Sequence, residues 1–127
     1  MEMTRVFDIL DNLKVNSTKT DILSCKELLP NGKAGKNWTK YSVTDFVNNV
    51  NHISAGLLAL GLKKGDTIAI MSNNRPEWNF VDFSAQQVAL PSVPIFPTVG
   101  ADDLKFILTH SEAKAALISV FILSIAS

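Results

Sequence analysis

Gly61 to Gln87 reads GLKKGDTIAIMSNNRPEWNFVDFSAQQ, and this stretch decides the fold. Thr67-Ile68-Ala69-Ile70-Met71 is a short uncharged apolar run bounded by the Gly65-Asp66 turn and the Asn73-Asn74-Arg75 loop, the pattern of a strand buried on both faces. Pro76 then suits the first position of a helix, where its missing N–H costs nothing, and Glu77 falls at the favourable end of the helix dipole. Trp78, Val81, Ala85 and Val88 recur at helical spacing and predict one apolar face.

The pattern repeats downstream. Ser92-Val93-Pro94-Ile95-Phe96 predicts a second short strand, stopped by Pro97-Thr98. Gly100-Ala101-Asp102-Asp103 opens a helix with acid in its first turn, and Leu104, Ile107 and Leu108 form its inner stripe. Ala115 to Ser119 predicts a third strand. Upstream, Ser42-Val43-Thr44-Asp45 resembles a capping box with Asp in the Glu position. Phe46, Val50, Ile53, Leu57 and Leu60 then give the strongest helical period in the chain. Gly61 sits where a left-handed cap is needed, with Leu62 placed to fold back on Leu57. Strands alternating with amphipathic helices predict right-handed βαβ crossovers and a parallel sheet.

Before residue 42 the signals are of another kind. Val6, Ile9, Leu10 and Leu13 predict a short helix over 4–13, followed by a loop marked by Asn12, Asn16, Ser17 and Thr18. Asp21 to Glu27 predicts a strand, Pro30 to Lys36 a turn, and Trp38, Thr39 and Tyr41 the returning strand, so 21–41 is expected to be a β-hairpin. The expected architecture is α/β: a partial parallel sheet with flanking helices, preceded by a hairpin. In domain terms 1–127 is expected to be a single incomplete domain. It comprises an N-terminal helix and hairpin (1–41), a portion of an α/β subdomain (42–119) and an atypical apolar tail (120–127). A parallel edge strand with nothing after it also predicts self-association through an open sheet edge.

Composition narrows the function. Twelve Lys and Arg balance twelve Asp and Glu over 127 residues, which argues against a general nucleic-acid binder. A single cysteine, Cys25, excludes an internal disulfide framework and a thiolate zinc site, and suits a reducing compartment. MEMTRVFDILDNL has no basic segment leading into an apolar core, so no secretory leader is expected, and the sequons at Asn16 and Asn37 then carry little meaning. The thirteen-residue run from Ala115 to Ser127 is shorter than the roughly 20 residues that span a bilayer. A cytoplasmic location is expected, with peripheral contact to a membrane through that tail as an extension.

Candidate chemistry is sparse. Gly32-x-x-Gly35-Lys36-Asn37 is too short for a phosphate loop, lacks its Ser/Thr and lies in a hairpin turn. His52 and His110 have no second ligand at metal spacing, and Cys25 has no base beside it, only Lys26, whose charge would favour the thiolate; a half-buried structural thiol is expected. Asp82 reads as a packing or surface carboxylate. The segment Asn73 to Trp78 stands at the carboxyl end of the predicted sheet, where ligands of open α/β folds bind. Two readings stay open for it: helix amides and Arg75 holding an anion, or a helix start anchored in the core by Trp78.

Gly61 to Gln87, followed by SVPIFPTVGADDLKFILTHSEAK (Ser92 to Lys114), resembles the N-terminal part of AMP-forming acyl-CoA synthetases, and most of all the long-chain fatty-acid–CoA ligase branch. Trp38 to Leu60 resembles that family's W-x-x-Y-S strand and the helix before its Gly-Leu-x-Lys-Gly-Asp turn. The resemblance implies a large N-terminal α/β domain with a small mobile C-terminal one. It implies lipid and fatty-acid metabolism by a ligase that uses ATP, Mg²⁺ and CoA on a fatty acid. The family's phosphate loop, its aromatic-Thr-Glu motif, its ribose-binding Asp and its C-terminal Lys have no counterpart in these 127 residues. No catalytic, cofactor-binding or metal residue is therefore assigned, and the chain alone is expected to be an inactive fragment with no cofactor of its own. The alternative is a non-enzymatic binding or assembly module that pairs with a full-length synthetase. One departure bears on structure: where the family has Gly-Ala-Val, this chain has Ala89-Leu90-Pro91. Loss of the glycine is expected to remove an easy left-handed helix end and leave Pro91 to stop the helix.

Overall fold

The computed structural model describes residues 2–119, so expectations for the tail at 120–127 lie outside the described residues. In chain order the elements are α1 (Asp8–Asn16), β1 (Leu23–Leu28), β2 (Ala34–Tyr41), α2 (Val43–Ala59), β3 (Ile68–Met71), α3 (Pro76–Gln87), β4 (Ser92–Ile95), α4 (Ala101–His110) and β5 (Ala115–Ile118). The three apolar runs form a parallel sheet in the order β4-β3-β5, as the alternating pattern predicts. The connection from β3 to β4 runs one way across the sheet and that from β4 to β5 runs back past β3. With crossovers of one hand, this reversal places α3 and α4 on opposite faces.

All four residues of β3 are buried, and successive side chains serve opposite faces. Ile68 and Ile70 join Leu57, Leu62, Ala85 and Leu90 in one core, with Trp78, Val81 and Val88 packed against it. Ala69 and Met71 join Ile95 in a second core, covered by the predicted stripe of α4, Leu104, Ile107 and Leu108. A third core fastens the hairpin to the helices. It contains Leu10, Phe46, Val50 and Phe80, and Phe80 packs edge-on to both Tyr41 and Phe46 with ring centroids 5.2 Å apart in each pair.

Helix starts follow the sequence. Ser42 Oγ accepts from the Asp45 amide (3.1 Å) while Asp45 accepts from the Ser42 amide (2.8 Å), a complete capping box. Pro76 is the first residue of α3. Helix ends follow it less closely. Gly61 ends α2 at φ +86, as expected. Ala89, however, takes the same left-handed conformation at φ +58 without being glycine. The Ala89 amide donates to Gln86 O (3.2 Å) and the Leu90 amide to Ala85 O (2.8 Å), so α3 ends in a full Schellman motif, with buried Leu90 packed in the same core as Ala85. The expectation that losing glycine removes this end is corrected. Two hydrogen bonds and the burial of Leu90 hold Ala89 against a backbone preference of about 1–2 kcal/mol. Glu112 repeats the device after α4 at φ +53.

Two boundaries also differ from expectation. α1 runs four residues later at its start than the predicted 4–13, takes in Asn12 and Asn16, and leaves Val6 and Ile9 exposed. The cause is Asp8, only 4% exposed, whose carboxylate accepts from the Thr4 and Arg5 amides (3.1 and 2.9 Å) and from the Arg5 guanidinium (2.7 Å). Residues 4–7 wrap around that carboxylate and the helix begins after them. In the hairpin, β2 starts at Ala34, inside the predicted turn, because Leu28 pairs with Ala34 across an irregularity in register.

Candidate functional site

The carboxyl ends of β3 and β5 and the start of α3 meet at one end of the parallel sheet, and the hairpin closes beside them. Ser72 to Arg75 connects β3 to α3 there. A cleft of ≈ 270 Å³ lies between Ile70, Ser72, Trp78 and the strand end Leu117-Ile118-Ser119. A larger one of ≈ 780 Å³ lies between the same loop and the inner face of the hairpin, lined by Cys25, Glu27, Thr39, Tyr41, Asn73 and Asn74 among others. Arg75 and Glu77 belong to both and form the wall between them.

Arg75 donates from Nε and Nη2 to the two carboxylate oxygens of Glu77 at 2.8 and 3.0 Å, a bidentate pair with both side chains about two-fifths exposed. That hydrogen bonding holds the Glu77 carboxyl below its usual range, against the opposing effect of partial burial, and raises the guanidinium. Burial pushes the Tyr41 phenol up, with the Glu77 charge adding to it. The arrangement corrects the reading in which Arg75 and helix amides wait for an anion. The Glu77 carboxylate is already the anion at this helix start and Arg75 is already paired with it. Pro76 offers no amide, and the Trp78 amide donates to Arg75 O at 3.1 Å. The other reading describes what is seen: Trp78 packs against the Ile68–Ile70 core and fixes the start of α3.

The remaining sequence candidates lie apart. His52 is exposed on α2, and His110 is exposed and stacks on Phe106 at 5.4 Å. Cys25 is half-buried on the inner face of the hairpin, whereas Lys26 lies on the outer face over the Trp38 ring. Asp82 accepts from Gln86 (2.9 Å) and Ser92 (2.8 Å), a packing role that ties α3 to the start of β4. Gly32 and Gly35 belong to the hairpin, and a Cβ at Gly35 would run into the Glu27 side chain. Among the described residues no three His, Cys, Asp or Glu side chains converge to hold a metal ion. No described helix is long and apolar enough to cross a membrane.

Sequence reasoning missed two features. The Arg75–Glu77 pair was legible only as R-P-E, two residues apart, a spacing with no general pairing rule. The buried hydroxyls of Ser54 and Ser84 have no sequence signal at all. Ser54 donates to Ser84 O (3.2 Å), and Ser84 donates to Val50 O (3.0 Å) and Phe80 O, so small polar residues bind α2 closely to α3.

Comparison with known proteins adds to this geometry. A family model described as AMP-binding enzyme matches residues 21–125, which takes in the hairpin, the loop and all three parallel strands. Fatty acyl-CoA synthetase A of Dictyostelium discoideum is 35% identical over 115 residues, covering 89% of this chain and 17% of that protein. Long-chain-fatty-acid–CoA ligase FadD15 of Mycobacterium tuberculosis is 33% identical over 76 residues, covering 60% of this chain and 13% of that protein. The chain thus spans about one-sixth or less of the length of these curated relatives. The adenylation domain of a carboxylate reductase from Mycobacterium chelonae superposes on 99% of this chain with a TM-score of 0.84 at 16% identity, covers 21% of its own length in doing so, and shares the fold.

Proposed function

This chain belongs to the AMP-binding enzyme family, and from that premise we propose that it supplies an N-terminal scaffold portion of an ATP-dependent long-chain fatty-acid–CoA ligase. The observation that carries the proposal is the family match over 21–125, supported by curated relatives named as fatty acyl-CoA synthetases and ligases. In the proposed reaction a fatty-acid carboxylate displaces pyrophosphate from ATP to give an acyl-adenylate. The sulfur of CoA then attacks the acyl carbon and AMP leaves. A free carboxylate is a poor electrophile because it would have to expel oxide, and adenylation supplies a stable leaving group.

The part proposed for this chain is to hold the parallel sheet and the loop at its carboxyl end. No catalytic, nucleotide-binding or metal-binding side chain is assigned to it. The described residues bring no set of ligands together for Mg²⁺, so no step is routed through that ion. The proposal extends to a cytoplasmic location, to contact with a membrane surface and to self-association through the outer edge of β5, which pairs with β3 on one side only among the described residues.

Two measurements test the reading. The purified chain should show no fatty-acid-dependent exchange of pyrophosphate into ATP, and robust exchange would overturn the scaffold assignment. A chimera carrying this chain in place of the matching residues of the Dictyostelium synthetase should exchange pyrophosphate with long-chain fatty acids. A folded but silent chimera would remove the ligase reading.

A further inference from the structure

The outer face of the hairpin carries a pattern that the ligase reading does not use. Cross-strand partners point to the same side of an antiparallel pair. Lys26 pairs with Trp38, Ser24 with Lys40 and Leu28 with Ala34, so these six share one face. Lys36 sits at the register irregularity beside them, and Lys33 lies in the turn. Glu27, the one carboxylate within the two strands, belongs to the inner half-buried set, where it accepts from the Asn37 amide at 3.3 Å. The outer face therefore gathers lysines without an acid, in a chain whose formal net charge is zero.

Its apolar members are uncovered: Trp38 is 56% and Leu28 71% exposed, and Leu29 beside the turn is also exposed. Trp38 is held in place, since the Lys26 ammonium stands 4.5 Å from its ring centroid and donates to Lys36 O at 3.2 Å. We infer that the outer face of the β1–β2 hairpin, built on Lys26, Lys36, Lys40, Trp38 and Leu28, docks on an anionic lipid surface. Charge complementarity carries the choice of occupant: a local excess of lysine on a neutral chain orients the molecule toward a negative plane. The apolar residues favour a bilayer over a nucleic acid. Trp settles at the headgroup level and Leu enters below it, while the lysine stems reach back to the phosphates. A nucleic-acid strand offers stacking for Trp38 but no apolar depth for Leu28 and Leu29. The inference rests on the membrane contact proposed above, which it places on this face, and it uses no step of the ligase reaction.

The test is sedimentation of the full chain with vesicles of phosphatidylcholine alone and of phosphatidylcholine mixed with phosphatidylglycerol. Binding to the anionic vesicles alone is expected, weakening as salt rises. Each of Lys26→Gln and Lys40→Gln should lower it roughly fivefold, and Trp38→Ala should lower it as well. These exposed substitutions leave the cores intact, which far-UV circular dichroism checks. In a Trp78→Phe chain with unchanged circular dichroism, Trp38 emission should shift to shorter wavelength on anionic vesicles. Equal binding to neutral vesicles, or binding that survives both lysine substitutions, would overturn the inference. So would binding lost only on deleting residues 120–127, or a single-stranded oligonucleotide that competes the chain off the vesicles.

Discussion

The β1–β2 hairpin and the β4-β3-β5 trio are both small sheets, but their burial differs in kind. Every residue of β3 is buried, with Ile68 and Ile70 facing one helix layer and Ala69 and Met71 the other. In β2 only Gly35 and Tyr41 are half-buried and the rest are exposed, and β1 alternates between half-buried and exposed. The trio is stable because distant segments cover it, whereas the hairpin is stable because its strands are close in sequence and its inner edge is fastened by Tyr41 to Phe80. A two-stranded hairpin is marginal by itself in water. The hairpin therefore draws its stability from the helices on one face and leaves the other exposed.

The largest expected effect comes from cutting that link. Phe80→Ala removes a ring 2% exposed that touches both Tyr41 and Phe46, and should cost about 4 kcal/mol in urea unfolding. Amide exchange in β1 and β2 should accelerate more than in β3. If both sheets lose protection equally, the hairpin is as self-sufficient as the trio. Ile70→Ala should cost about 3 kcal/mol, because the cavity opens in the core that Ile70, 2% exposed, shares with residues of α2, α3 and β5. Ala89→Gly runs the other way: it relieves the left-handed backbone and should stabilise the chain by about 1 kcal/mol. Destabilisation instead would mean that the entropy glycine adds to the unfolded chain outweighs the strain. Trp38→Ala on the exposed hairpin face should change stability by no more than about 0.5 kcal/mol, the contrast to Ile70.

A further contrast is a pH dependence at the N-terminal side. Hydrogen bonds from the Arg5 guanidinium, and then from the Arg5 and Thr4 amides, bring the Asp8 carboxyl from 3.8 down to about 2. A folded-state value below the unfolded one means that the contribution is complete above about pH 4 and is lost as pH falls toward 2. Unfolding midpoints should decline in that window in the parent chain, and Asp8→Asn should flatten the decline.

Much of this was legible in particular residues. Ser42 and Asp45 announce their capping box, Gly61 its left-handed end and Pro76 its first turn, because each acts through its own backbone conformation or through hydrogen bonds within a few residues of itself. The two packed faces of α3 are half legible: Trp78, Val81, Ala85 and Val88 recur at helical spacing, while Phe80 and Ser84 carry no such signal, since their face exists only once α2 lies against it. Ala89 and Glu112 hide their left-handed backbone for a similar reason. Nothing in an alanine or a glutamate asks for positive φ, and the demand comes from the residue that follows, Leu90 or Ala113, turning into a core. At the candidate site the position of the loop was readable, and the Arg75–Glu77 pair that closes it to an outside anion was not.

By itself the sequence determined the order of elements, the hairpin, the parallel pairing and the family, because period, capping and turn chemistry are written in neighbouring residues. Tertiary structure alone decided the strand order β4-β3-β5, the attachment of the hairpin through Phe80, the left-handed backbone at Ala89 and the turning of the hairpin's lysines to the outside. Each of these joins segments far apart in the chain or sets one segment against another's surface. Such contacts form only when the burial they complete exceeds the entropy of closing the loop between them.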